Sequence, residues 1–155
     1  MFRTTNLIGC SVFVKDNPHS VGHIHDLHFD DQLQRIVGMT VQQGVFGTRW
    51  HVADSAEFNW HNKHLVIGRW LVSIDLLDTT QMVSWRQLRR RRVIIDYRPY
   101  GHINDILFKG EGIVQGFSAG GLRHFGSYIF NREDIQTVGD QKRPLVVNTS
   151  PQLSF

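Results

Sequence analysis

The sequence has a single cysteine, Cys10, among 155 residues, so no internal disulfide can form and no pair of thiolates can hold zinc. No run approaches the roughly 18 apolar residues that a membrane-spanning helix needs. The first residues lack the basic, apolar and small-residue segments of a secretory signal. These absences favour a reducing, cytoplasmic setting.

The sequence also lacks a large excess of either positive or negative charge. There are 17 basic and 14 acidic side chains, and the net charge is +3, which does not by itself indicate a nucleic-acid partner. No signature of a known catalytic site occurs, so no catalytic residue and no cofactor is predicted. Hydrophobic residues make up 41% and charged residues 20%, a composition typical of a soluble globular protein.

An eight-residue motif, which we call the hub motif, occurs twice. It reads Gly22-His23-Ile24-His25-Asp26-Leu27-His28-Phe29 and then Gly101-His102-Ile103-Asn104-Asp105-Ile106-Leu107-Phe108. Flanking segments match at nearly the same offset, and the offset changes only between predicted strands. Insertions confined to turns are typical of two copies of one fold. The sequence therefore predicts two domains, residues 1–78 and residues 79–155.

Each copy is predicted to contain about five short strands. In the first copy, β-branched and aromatic residues with turn formers between them predict strands at 7–14, 21–29, 34–43 and 65–67, with one helical turn at 53–58. Closure into a barrel removes the exposed edges of so small a sheet. We expect an all-β protein made of two tandem small β-barrels, related by an approximate two-fold axis.

Three segments of each copy resemble the PRC-barrel domain. In the first copy they are Leu7 to Val12, Gly22 to Asp30 and Val37 to Val41; in the second they are Leu88 to Val93, Gly101 to Lys109 and Val114 to Ser118. That domain forms the cytoplasmic part of the photosynthetic reaction-centre H subunit and the C-terminal part of a ribosome maturation factor. One departure is that Arg89 to Arg92 stand where the family usually has glycine.

The resemblance implies a docking or assembly module, since the family is not an enzyme class. We therefore expect a non-enzymatic adaptor that binds another protein. An RNA- or ribosome-associated assembly factor is the alternative. A third hypothesis is a hydrolase or metal-dependent enzyme that uses the histidine cluster, which comprises His19, His23, His25 and His28. A homo-oligomer is compatible with the sequence.

A run of arginines is the strongest candidate binding feature. It comprises Arg86, Arg89, Arg90, Arg91 and Arg92 and follows Trp85. Guanidinium groups suit carboxylate and phosphate alike, and a nearby aromatic ring can stack on a base. The run has no counterpart in the first copy. It therefore predicts a surface for an acidic protein or for RNA, unless it only solvates a sheet edge. The groove between the copies is a second candidate contact surface.

The hub motif itself allows two interpretations. Asp26 and Asp105 could form a pair of carboxylates for general acid–base catalysis, which requires them to lie close together. Their identical position in both copies instead favours a structural role, with each carboxylate accepting hydrogen bonds from backbone N–H groups at a turn or strand irregularity. Gly22 and Gly101 belong to the same repeated structural motif.

His23 and His25 are the only metal-ligand candidates. On a regular strand they would share a face, at a spacing suited to zinc or nickel. A closed site needs further ligands, and the sequence offers no second pair. The competing prediction is that Ile24, Leu27 and Phe29 fill the core while the histidines face water.

Overall fold

The fold is all-β, as the sequence predicted. The computed structural model describes residues 1–45, 47, 49–53, 58–61, 64–68, 72–73, 82–121, 124–139, 143–148 and 152–154. Within these ranges no helix is long and apolar enough to cross a bilayer.

The elements of the first half are two-residue to eleven-residue strands and one helical turn. They are β1 (Phe2–Arg3), α1 (Thr4–Leu7), β2 (Ser11–Val14), β3 (Ser20–Asp30), β4 (Ile36–Gln42), β5 (Arg49–Ala53), β6 (Phe58–His61), β7 (His64–Ile67) and β8 (Val72–Ser73).

The second half repeats this series. Its elements are β9 (Met82–Ser84), α2 (Trp85–Leu88), β10 (Arg92–Ile95), β11 (Arg98–Phe108), β12 (Val114–Gly121), β13 (His124–Asn131), a 3-10 turn (Arg132–Asp134), β14 (Ile135–Thr137), β15 (Leu145–Val147) and β16 (Gln152–Ser154).

The two halves form sheets of matching connectivity. One sheet has the order β6-β7-β2-β3-β4-β5-β8, and the other has the order β14-β15-β10-β11-β12-β13-β16. In each, one neighbouring pair is parallel, β2 with β7 and β10 with β15, while the remaining pairs among the described strands are antiparallel. The sequence repeat is thus a repeat of strand order.

The halves exchange their first strands. β1 pairs with β11, placing Phe2 opposite Phe108, and β9 pairs with β3, placing Val83 opposite Phe29. Each hub strand is therefore completed by a strand from the other half. This exchange of short strands was not among the features predicted from the sequence.

The turns after the hub strands add a second set of backbone bonds between the halves. The N–H of Ile36 donates to the carbonyl of Gly112 at 2.8 Å, and the N–H of Val114 donates to that of Gln34 at 2.9 Å. These pairs occupy equivalent positions in the two copies. They join the sheets where the chain turns into β4 and β12.

The core is one contiguous apolar cluster that contains residues of both halves. Ile24, Leu27 and Phe29 are fully buried, as the sequence predicted, and three residues at the equivalent positions of β11 are buried as well: Ile103, Ile106 and Phe108. Two core residues three apart on a strand require an irregularity, since strict alternation would place them on opposite faces. The register shifts between Ile24 and Asp26, so His25 forms a bulge.

The predicted strand boundaries need one correction. The strand expected at 7–14 begins only at Ser11, because the preceding residues form the helical turn α1. The strands expected at 21–29, 34–43 and 65–67 are present with shifts of one or two residues at their ends. The helical turn predicted at 53–58 is bounded by strand residues, since Ala53 ends β5 and Phe58 begins β6; its middle, 54–57, lies outside the described ranges, as does the predicted boundary at residue 78.

Candidate functional site

The hub aspartates bind the helical turns of the opposite halves. Asp105 Oδ1 accepts hydrogen bonds from the Thr5 N–H at 2.9 Å, the Thr5 hydroxyl at 2.6 Å and the Thr4 hydroxyl at 3.2 Å. Asp26 Oδ1 accepts one from the Arg86 N–H at 3.3 Å. In both cases the donor is the backbone N–H of the second residue of a helical turn. Such an N–H group has no hydrogen-bond partner within the helix.

These contacts describe a structural use of both carboxylates. Each residue is nearly enclosed, 6% exposed for Asp26 and 9% for Asp105. Burial raises the pKa of Asp26, although hydrogen bonds from the backbone of Arg86 and Leu27 act in the opposite direction. The two carboxylates lie on different hub strands, and each accepts a hydrogen bond from a different helical turn.

The hub glycines are required by close approach of the neighbouring strand. A Cβ atom on Gly22 would lie 2.5 Å from the carbonyl oxygen of Gln42, and one on Gly101 would lie 2.5 Å from that of Gly120. Side-chain carbon atoms are not tolerated at such distances. The repeated Gly and Asp of the hub motif thus serve strand pairing and helix capping.

The bulge falls within the histidine cluster. His23 and His25 are half-buried, and His25, at the bulge, has its Nδ1 3.3 Å from Arg86 Nη2. His28 is buried, with Nε2 2.7 Å from the Thr40 hydroxyl. Within the described part of the chain no group of three or more His, Cys, Asp or Glu side chains is arranged to hold a metal ion.

The arginine run forms one wall of a cleft of about 530 Å³. We call it the arginine cleft. Its lining residues are Arg86, Gln87, Arg89, Arg90, Arg91, Arg92, Arg143 and Pro144. Arg143 was not among the residues predicted from sequence, because it lies 51 positions after Arg92 and reaches the cleft only through the fold.

Helix α2 fixes the near side of the cleft. Ser84 and Gln87 form a capping box: the Ser84 hydroxyl accepts from the Gln87 N–H, and the Gln87 side chain accepts from the Ser84 N–H. Trp85 and Leu88 point into the core and leave Arg86 and Arg89 exposed. Trp85 is 4% exposed, so its ring is a core residue and does not lie on the cleft surface.

Arg90 occupies a backbone conformation that favours glycine. Its φ is +62°, and the equivalent residue of the first copy is Gly9, with φ +90°. In both copies the residue donates its N–H to the hub strand, Gly9 to Ile24 and Arg90 to Ile103. A side chain in this conformation costs about 1–2 kcal/mol. Arg90 is exposed, so no burial of apolar surface offsets that cost.

Arg91 differs from its neighbours in pointing inward. It is 7% exposed, and its Nη1 donates to the carbonyls of Val138 at 3.1 Å and Gly139 at 3.4 Å. This guanidinium therefore fastens the segment that leads to Arg143 against the start of β10. Arg91 shapes the cleft, and the five exposed arginines supply its surface charge.

The electrostatic character of the cleft is uniform. Among the described residues no carboxylate and no aromatic side chain lines it, and within the same ranges Arg89, Arg90 and Arg92 form no ion pair. The like charges of Arg89, Arg90 and Arg92 repel one another around the concavity. An anionic ligand relieves that repulsion.

A second concavity of about 410 Å³ lies between the halves and corresponds to the predicted groove between the copies. It is lined by Asp31, Gln32, Arg132, Ile135, Gln136, Thr137, Val138, Gly139 and Arg143. Arg132 donates to the carbonyls of Leu33, at 2.8 Å, and Gln32, which ties the turn after β3 to the second half. Its charges are mixed, so it is a less selective site for an anion.

No protein-family model matches the chain, and no curated protein matches its sequence.

Proposed function

We propose that the protein is a non-enzymatic docking module whose arginine cleft binds an acidic segment of a partner protein. One observation carries this proposal. Six arginines line a single concavity to which no carboxylate among the described residues contributes. Carboxylate side chains on an extended segment would form charge-assisted, bidentate hydrogen bonds with these forks.

For the fold, we propose that each sheet closes into a small barrel of the PRC-barrel kind and that an approximate two-fold axis relates the two. The shared strand order and the duplicated hub motif support this. The resemblance implies binding rather than chemistry. The buried hub aspartates, each occupied in capping a helical turn, agree with that implication.

An acidic protein is favoured over RNA by what lies around the cleft. Sequence-tolerant recognition of single-stranded RNA relies on aromatic rings that stack on bases. Of the two aromatic residues near the run, Trp85 is buried, and Tyr97 is exposed but does not line the cleft. No aromatic side chain lines the cleft within the described ranges. RNA is the second candidate because the same guanidinium groups can contact backbone phosphates. We do not propose a metal-dependent enzyme, because no group of potential metal ligands is found within the described ranges.

The test compares a fluorescent oligoglutamate peptide with a single-stranded RNA of equal charge by fluorescence anisotropy. Arg89→Glu/Arg92→Glu should abolish peptide binding. Arg35→Glu/Arg98→Glu, which changes the same number of exposed charges elsewhere, should retain most of it. Equal losses in both variants would reject the cleft as the docking site. Tighter RNA binding, with a salt slope near −0.7 per phosphate contact, would favour the second candidate.

A further inference from the structure

We infer that the arginine cleft is also a binding site for a small, compact oligophosphate, an anion with about three linked phosphate groups. Nothing in the docking proposal requires such a ligand. The inference uses the same cleft and adds a chemical class of effector that would compete with an acidic segment.

The first argument is charge density. Five exposed arginines line a volume of about 530 Å³. A carboxylate contributes one negative charge, whereas a linear triphosphate carries about −1.5 to −2 on each terminal phosphate and −1 on the internal one, about −4 to −5 in all near pH 7. One triphosphate therefore brings as much charge to the cleft as four or five carboxylates. A peptide would have to crowd that many acidic side chains into the same space to do so.

The second argument is that hydrogen bonds within the protein hold both walls of the cleft in position. The Arg91 guanidinium donates hydrogen bonds to the carbonyls of Val138 and Gly139. These bonds hold the far wall of the cleft in position without a ligand. On the near wall, the capping box of Ser84 and Gln87 fixes the helical turn that bears Arg86 and Arg89. A preformed site loses less conformational entropy when a small ligand binds.

The third argument concerns Arg90. The equivalent position in the first copy is glycine, and the left-handed backbone would be relaxed by glycine here too. An exposed residue retained in a strained conformation points to a use for its side chain. Here the side chain adds a charge to the rim of the cleft.

The experiment is isothermal titration of the full chain with inorganic tripolyphosphate, in EDTA, with citrate and orthophosphate titrated at the same ionic strength. We expect tripolyphosphate to bind at 1:1 stoichiometry and about tenfold or more tighter than citrate. Arg89→Gln/Arg92→Gln should weaken tripolyphosphate binding by about tenfold or more, while Arg35→Gln/Arg98→Gln should change it less than about threefold. A nucleoside triphosphate in a parallel titration shows whether a phosphate tail bearing a nucleoside enters as well as the free inorganic chain.

Citrate binding as tightly as tripolyphosphate, or equal effects of the two double variants, would overturn the inference. Peptide displacement separates it from the docking proposal. If tripolyphosphate binds and the oligoglutamate peptide does not, the effector site stands and the docking proposal fails. If the peptide binds and tripolyphosphate neither binds nor displaces it, the docking proposal stands and the effector site fails.

Discussion

Asp105 accepts a hydrogen bond from the backbone N–H of Thr5 at 2.9 Å, although the two residues are 100 positions apart. Asp26 holds the equivalent N–H of Arg86 at 3.3 Å. Each half therefore supplies the cap for the other half's first helical turn, next to a strand that has crossed between the sheets.

Removing the Asp105 carboxylate should destabilise the whole chain. Asp105→Ala deletes three hydrogen bonds made to a charged acceptor. We expect a loss of about 2–4 kcal/mol in the free energy of unfolding, measured by urea denaturation. Asp31→Ala, on an exposed turn, is the control and should change it by less than about 0.5 kcal/mol. A similar change in both variants would contradict the capping role.

A fragment containing only residues 82–155 should form a homodimer. Its strand β9 and helix α2 have no first half to engage, and the hub strand of a second copy offers the equivalent edge and the equivalent aspartate, Asp105. Light scattering should show twice the fragment mass. Asp105→Ala in the fragment should abolish the dimer, whereas Glu111→Ala, on an exposed turn, should not. A folded monomer would show that the exchanged strands are dispensable.

Replacing Asp26 with asparagine should change how stability depends on pH. Burial raises the pKa of Asp26 above its ordinary value of 3.8. As pH rises from 3.8 through the raised pKa, the folded state keeps a proton that the unfolded state has released, so this group's contribution to stability declines. Asp26→Asn can still accept the Arg86 N–H and has no charge to bury. The stability difference, variant minus wild type, should grow across that window; parallel curves would contradict the prediction.

The hub glycines should be intolerant of any side chain. Gly101→Ala places a methyl group 2.5 Å from the Gly120 carbonyl oxygen and should cost more than about 2 kcal/mol. Gly110→Ala is the matched control, because its Cβ would meet only a ring carbon of Phe2 at 3.6 Å. Thermal unfolding of the two variants side by side measures the difference. Equal melting temperatures would show that the strands can separate at no cost.

Arg90→Gly should raise stability and lower anion binding together. Glycine relieves the left-handed strain but adds flexibility to the unfolded chain, so the net gain should be about 0.5–1 kcal/mol. Leu33 provides the contrast, since it has φ +54° and is fully buried. Leu33→Gly should destabilise the chain, because losing the buried side chain costs about 2 kcal/mol or more. Urea denaturation and tripolyphosphate titration check both effects.

The strands and the bulge of the hub motif can be predicted from the sequence, because they depend on patterns of neighbouring residues. The hub strands follow from β-branched residues between turn formers, and the duplication shows that the two copies share a strand order. The bulge also has a signal, since Ile24 and Leu27, like Ile103 and Ile106, are core residues three apart. The Ser84-x-x-Gln87 pattern is a capping box and could have indicated α2.

Strand exchange left no such signal. β1 and β9 contain two and three residues, too few for a periodic pattern. β1 pairs with a hub strand about 105 positions away, and β9 with one about 54 positions away. The burial of Arg91 could not be predicted from the sequence either, because a charged side chain is normally expected to be exposed. Only the fold brings the carbonyls of Val138 and Gly139 within its reach.

Carrying both copies on one chain has a consequence for stoichiometry. A symmetric dimer of a single copy would display every surface twice. Here the second copy has four consecutive arginines where the first has Ile8-Gly9-Cys10-Ser11. Among the described residues each molecule therefore has one arginine cleft. Under the proposed docking function, a molecule would bind one acidic partner through that site and would not bridge two.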